Sequence, residues 1–119
     1  MASEISLSKL RKLVREERKT ALVLFKGSWC SDCIAFGPVW KAWTGGRKGP
    51  IFEVEVARGS KAWKEWSLDE IPTVALFIDG AEEERADGPI TSLDLDELWD
   101  IAQQKVLALS RRGGARGQR

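Results

Sequence analysis

Both cysteines of this 119-residue chain lie within Trp29-Cys30-Ser31-Asp32-Cys33, between an apolar run, Ala21 to Phe25, and a helical pattern, Phe36 to Trp43. No other feature constrains the fold as much: a buried strand must feed directly into a helix whose first turn carries two thiols. A thiol at a helix N-terminus meets unpaired backbone N–H groups and the positive end of the helix dipole, and both favour a charged sulfur. The second thiol, one turn further on, is near enough to close a small disulfide ring. The spacing suits reversible dithiol–disulfide chemistry, with Cys30 and Cys33 as the candidate catalytic pair.

The remaining elements follow from periodicity. Leu7, Leu10, Leu13 and Val14 recur at helical spacing after Ser6 or Ser8, either of which can cap a basic helix ending near Lys19. The helix at the cysteines places Cys33, Phe36, Val39, Trp40 and Trp43 on one stripe, and Pro38 within it predicts a kink. Ile51 to Val56 reads as a strand with Phe52, Val54 and Val56 on one face and Glu53 and Glu55 on the other. Ser60 to Leu68 reads as a short tryptophan-bearing helix. Ile71 to Ile78 is an almost continuous apolar run, suited to a strand buried on both faces and closed by the turn dipeptide Asp79-Gly80. Ala81 to Asp87 is expected as a polar edge strand. Leu95, Leu98, Trp99, Ala102, Val106 and Leu109 mark a last helix of about 19 residues from Thr91 or Ser92. This order implies an α/β fold: a mixed sheet of four to five strands with helices on both faces, and the cysteine helix starting at the carboxyl end of the first long strand.

Length and composition bound the function. A chain of this size makes one domain, expected over residues 1–110, followed by a basic Gly/Arg-rich tail, residues 111–119, with the composition of a disordered segment. The four arginines of that tail, with no acid among them, turn a slightly acidic body into a chain of net charge +1, so the body is not a general polyanion binder and nucleic acid is not an expected partner. Histidine and tyrosine are absent, which removes the commonest general base and the commonest metal ligand. Met1 to Thr20 alternates charge with leucine and lacks the apolar core of a signal peptide, and nothing approaches the ~20 apolar residues of a membrane span. A cytoplasmic monomer without membrane contact is the expectation. The two cysteines enclose too short a loop to staple the fold, which points to reactivity rather than an oxidising compartment.

With these elements in place, the chain resembles the thioredoxin family across residues 20 to 105. The resemblance rests on the strand running into Trp-Cys-x-x-Cys, on Pro38 five residues beyond the second cysteine, on Ile71-Pro72-Thr73 opening a buried strand, and on Phe77, Asp79-Gly80 and Gly88 at the family's spacing. It implies the thioredoxin fold and a protein-disulfide reductase activity with no cofactor and no metal. Cys30 would be the exposed nucleophile and Cys33 the buried resolving thiol. Trp29 would form one wall of the substrate groove, with Ser31 and Asp32 beside it, and Pro72 would be a cis proline. The Ile71 backbone would pair with an extended substrate segment, as in strand addition. Its substrates would be protein or small-molecule disulfides, and its reductant an upstream disulfide reductase such as a thioredoxin reductase.

Three features depart from the family pattern. Ser31-Asp32 stands where thioredoxins proper usually have Gly-Pro, and resembles instead the thioredoxin-related proteins with Trp-Cys-Pro-Asp-Cys. Leu24 replaces the family's buried strand aspartate, and Glu53 replaces its lysine neighbour. Glu53 is therefore the expected proton acceptor for Cys33, with a pKa raised by burial, against the plainer reading of a partly solvated strand residue. Two other classes stay open at this point: a redox-sensing or non-catalytic binding module using the Trp29/Pro72 groove, and a dimer sharing a metal cluster through its thiols.

Overall fold

A computed structural model describes residues 1–105 with their side chains; of residues 106–118 it describes only their place in the last helix. The tail expected over 111–119 lies outside the fully described residues. In chain order the elements are β1 (Ser3–Glu4), α1 (Leu7–Arg11) continued by a π-helical segment (Lys12–Glu16), β2 (Ala21–Lys26), α2 (Ser31–Gly45), β3 (Ile51–Glu55), α3 (Ala62–Glu65), β4 (Thr73–Ile78), β5 (Ala81–Asp87) and α4 (Ser92–Gln118). The sheet has five strands in the order β1-β3-β2-β4-β5. Strand β3 runs parallel to β1 and β2, while β4 is antiparallel to both β2 and β5.

Alternation along the central strands divides the interior into two cores. Val23, Phe25, Ala75 and Phe77 point to the face covered by Leu10, Val14 and Trp66, from α1 and the α3 region. Leu22, Leu24, Val74 and Leu76 point to the face covered by Phe36, Trp40 and Trp43 of α2 and by Leu95 and Leu98 of α4. Both faces of β2 and β4 are therefore buried, which accounts for their unbroken apolar runs. At the β4–β5 hairpin, Asp79 and Gly80 take φ of 52° and 84°, the positive values of a two-residue primed turn.

Four expectations need correction. The first helix does not run regularly to Lys19. Ser6 caps it through the Lys9 amide (3.1 Å), but the chain then widens, with Glu17 N–H on the Lys12 carbonyl and Lys19 N–H on that of Leu13, and it turns at Arg18 (φ 52°). Leu10 and Val14, four positions apart, are both buried. The tryptophan-bearing segment forms a regular helix only over Ala62–Glu65, because Ser67 takes a positive φ of 54° and the Leu68 amide reaches back to the Trp63 carbonyl (2.7 Å). Val39 leaves the buried stripe of α2 and is 37% exposed. Strand β1 was not expected, since its two residues join the sheet through backbone pairing alone and carry no apolar pattern. Helix α2 is one helix with Pro38 inside it.

Candidate active site

The end of β2 and the start of α2 are joined by Gly27, Ser28 and Trp29, and this short connection is held by hydrogen bonds along its length. The Ser28 amide donates to Glu55 Oε2 (2.7 Å), the Trp29 indole N–H to the Val56 carbonyl (3.0 Å), and the Cys30 amide to the Gly27 carbonyl (3.1 Å). Cys30 is then the N-cap of α2, with extended backbone (φ −94°, ψ 114°), and its sulfur accepts the Cys33 amide at 3.1 Å. A sulfur takes the place usually held by a serine or aspartate oxygen.

Burial does not separate the two thiols as expected. Cys30 is 8% exposed and Cys33 9%, so Cys30 is not an open surface nucleophile. Hydrogen bonding distinguishes them: the Cys30 sulfur accepts the Cys33 amide and faces the Ile71 carbonyl. Burial pushes the Cys33 thiol up to about 12; the hydrogen bond with Cys30 and negative charge on Cys30 and Asp32 push the same way, while the Gly27 backbone opposes them. Cys33 is thus held protonated, with its amide directed at the other sulfur.

The third strand of the site arrives from β4. The Ile71–Pro72 peptide is cis, and the Cys30 thiol faces the Ile71 carbonyl at 3.6 Å. Thr73 Oγ1 donates to the Glu70 carbonyl (2.6 Å), fixing the turn into β4. Asp32, Ile71 and Pro72 line one groove beside the thiols, and Ser31 is exposed on the first turn of α2. Trp29 stands on the other side, 37% exposed, with the Arg58 guanidinium 4.6 Å above its ring. Cys30, Cys33, Trp29, Ser31, Asp32, Ile71 and Pro72 therefore converge.

Glu53 does not join them. Its register partner on β2 is Leu24, and its two oxygens are taken by Lys26 Nζ (2.7 Å) and the Trp40 indole N–H (2.8 Å). The anionic groups acting on Cys33 are Cys30 and Asp32. For Lys26, burial alone would lower the ammonium pKa, but the hydrogen bond and charge of Glu53, with smaller contributions from Glu4 and Glu55, leave it raised. The acid and base beside Leu24 thus form a half-buried ion pair, and Glu53 makes no hydrogen bond to either thiol.

Two residues that sequence reasoning passed over hold the site in place. Gly27 faces the Trp29 ring so closely that a Cβ built on it would lie 2.7 Å from indole atoms. Arg85 on β5 donates to the Trp66 and Ser67 carbonyls (2.9 and 2.8 Å) while paired with Glu82, and so anchors the segment leading to Ile71. A lone arginine after Glu82-Glu83-Glu84 was the available signal. Among the described residues, no cluster of three or more His, Cys, Asp or Glu side chains could hold a metal ion, and no helix is long and apolar enough to cross a membrane.

Comparison with known proteins gives a consistent result. The sequence matches the Thioredoxin family profile over residues 2–101. It is 29% identical over 91 residues to protein disulfide-isomerase A3 of Gallus gallus, an alignment covering 75% of this chain and 18% of that much longer protein. A thioredoxin of Malassezia sympodialis superposes with a TM-score of 0.70 at 20% identity, covering 86% of this chain and 91% of that one. Mitochondrial thioredoxin 3 of Saccharomyces cerevisiae superposes with a TM-score of 0.67 at 18% identity, covering 83% and 94%. At those identities the structural matches establish the fold, and the profile, spanning most of the chain, establishes that it belongs to the thioredoxin family.

Proposed function

We propose that this chain is a thiol–disulfide oxidoreductase working mainly as a reductase of protein disulfides, with Cys30 as nucleophile and Cys33 as resolving thiol. The observation that carries the reading is the different bonding of the two sulfurs: Cys30 Sγ is the N-cap acceptor of α2, bonded by the Cys33 amide at 3.1 Å beside the Ile71 carbonyl, while burial and its neighbours hold the Cys33 thiol protonated. The Cys30 sulfur, as thiolate, attacks one sulfur of a substrate disulfide; an S–S bond forms between them, and the other substrate sulfur leaves as a thiolate. Cys33 then gives its proton to solvent and its thiolate attacks Cys30 Sγ, expelling the second substrate sulfur as a thiolate that solvent protonates and leaving the Cys30–Cys33 disulfide. Two electrons pass from the protein to the substrate. An upstream disulfide reductase, such as a thioredoxin reductase, returns them.

The order of steps follows from the groups that act on Cys33. Two of the influences holding it protonated are the hydrogen bond with Cys30 and negative charge there. Both vanish once Cys30 Sγ is bonded to substrate, so the mixed disulfide eases deprotonation of Cys33, although burial, the largest influence, persists. Premature ionisation of the second thiol is disfavoured. The chain's own thiol pair suits a reducing compartment such as the cytoplasm.

The test is twofold: reduction of insulin disulfides with dithiothreitol as electron source, and the equilibrium potential of the Cys30–Cys33 couple. Turnover with a potential near about −270 mV is the expected result. A potential near about −120 mV would make the chain an oxidant, and loss of no activity in Cys30→Ser would remove the proposed nucleophile.

A further inference from the structure

The groove beside Pro72 has a volume of about 340 Å3, with Val39, Pro72 and Ile90 as apolar walls and Asp32 and Glu70 on its rim. It is continuous with the thiols, because Ile71, whose carbonyl faces the Cys30 sulfur, also lines it. Both acids are exposed and, among the described residues, neither forms an ion pair. The Glu70 carboxylate lies over Gly88, its Oε1 3.2 Å from where a Cβ on that glycine would sit, so it borders the groove floor.

An apolar trough with two unneutralised carboxylates on its edge favours an occupant that is apolar in the middle and cationic beside it, and repels an anionic one. We propose that Asp32 and Glu70 are specificity-determining residues that select peptide disulfides in which the reacting cysteine has, within the Pro72 groove, an apolar neighbour and a lysine or arginine beside it. This rests on the reductase reading given above. It adds the chemical class of substrate. Exposed pairs are individually weak, so each carboxylate supplies a few-fold preference, and the two together about tenfold between a basic and an acidic substrate at low ionic strength.

The experiment uses a pair of peptides that differ only in a lysine or a glutamate near the cysteine, each carried as a mixed disulfide with neutral 2-thiopyridine. Rates of thiopyridone release give a Lys/Glu ratio for the wild type and for Asp32→Asn/Glu70→Gln; dividing one ratio by the other cancels the peptides' intrinsic reactivity. The ratio should fall about tenfold in the double variant and should shrink in wild type as salt is raised. In parallel, peptides with serine in place of cysteine are titrated into isotope-labelled protein while the Gly88 and Ile90 amides are followed. Tighter binding of the lysine peptide is expected. Failure to reduce either disulfide would sink the reductase reading, and the serine peptides would still decide the selection. An unchanged ratio in the double variant, or equal binding of the two serine peptides, overturns the proposal.

Discussion

The backbone amide of Cys33 donates a hydrogen bond to the sulfur of Cys30 across 3.1 Å, while the Cys33 thiol itself is buried and held up to about 12. One residue thus positions the first sulfur and withholds the second. Alkylation of the reduced protein near neutral pH should therefore modify Cys30 long before Cys33, and Cys33→Ser should accumulate a mixed disulfide that Cys30→Ser cannot form. Mass spectrometry reads both; equal labelling of the two cysteines would contradict the assignment.

The same thiol links stability to pH. Its folded pKa lies above its unfolded value of about 8.5, so below that value both states keep the proton and its contribution is fully present. Between there and about 12 the unfolded chain releases the proton and the folded protein retains it, so stability falls as pH rises through this window. Guanidinium unfolding of the reduced protein from pH 7 upward should show a steeper alkaline loss in wild type than in Cys33→Ser. Parallel curves would mean that the thiol is not desolvated.

Glu53 is expected to matter for stability rather than for proton transfer. Glu53→Gln keeps an acceptor for the Trp40 indole but removes the anion from Lys26, and for a pair exposed to this degree the loss should be about 1 kcal/mol. Glu53→Ala also orphans the indole N–H and should cost about 1–3 kcal/mol more. The pH profile of the resolving step, measured in single turnovers, should be the same in Glu53→Gln and wild type. A displaced profile would return Glu53 to the role of proton acceptor by a route other than direct contact.

The contrast between Glu53 and the cysteines explains what could be read from the chain. Strands β2 and β4 were legible because burial on both faces writes a continuous apolar run, and α2 because its stripe and its cap adjoin in sequence. Glu53 was placed on the correct face of β3, opposite Leu24, but its partners come from two other elements: Lys26 lies two positions along β2 and Trp40 two turns along α2. A pattern of period two gives the face and says nothing of which cation reaches it. The same limit hid β1, which pairs by backbone alone; the widening after α1 leaves no mark in the apolar spacing, because Leu10 and Val14, four apart, would share a face of a regular helix as well.

Arg85 tests whether the loop before Pro72 needs an anchor outside its own sequence. Its guanidinium spans two backbone carbonyls and the Glu82 carboxylate, and the Glu82 hydrogen bond chiefly holds its pKa above the ordinary value. Lysine cannot reproduce that planar fork. Arg85→Lys should destabilise the protein by about 1–2 kcal/mol and slow mixed-disulfide formation, whereas Arg18→Lys, which loses an exposed pair and a carbonyl contact at the Asp79 turn, should leave mixed-disulfide formation unchanged. Comparable effects of the two substitutions on that step would show that the carbonyl contacts of Arg85 do not hold the site.

Gly27 sets where Trp29 can lie. Its φ is unremarkable, so the requirement is for space: an added Cβ would meet the indole Cε2 and Nε1 at 2.7 Å and Ile71 Cδ1 at 3.1 Å. Trp29 cannot simply swing away, because its N–H is bonded to the Val56 carbonyl and its ring lies beside Trp63 and under Arg58. Gly27→Ala must therefore break the indole bond or shift the Ile71 side chain, and over-packing of this kind costs about 1–3 kcal/mol. Gly27 also supplies the carbonyl that accepts the Cys30 amide, so a displaced backbone would move the nucleophile as well as its wall. The expected result is a folded protein with altered Trp29 fluorescence and a rate of Cys30 attack reduced about tenfold or more, in line with a displacement costing at least 1.4 kcal/mol in the transition state. Trp29→Phe in the Gly27→Ala background should recover part of the stability, since the smaller ring leaves room for the methyl group, but not the attack rate if the indole forms the substrate wall. Recovery of both would reduce Trp29 to a packing residue, and an unaltered attack rate in Gly27→Ala would show that the contact does not govern the site.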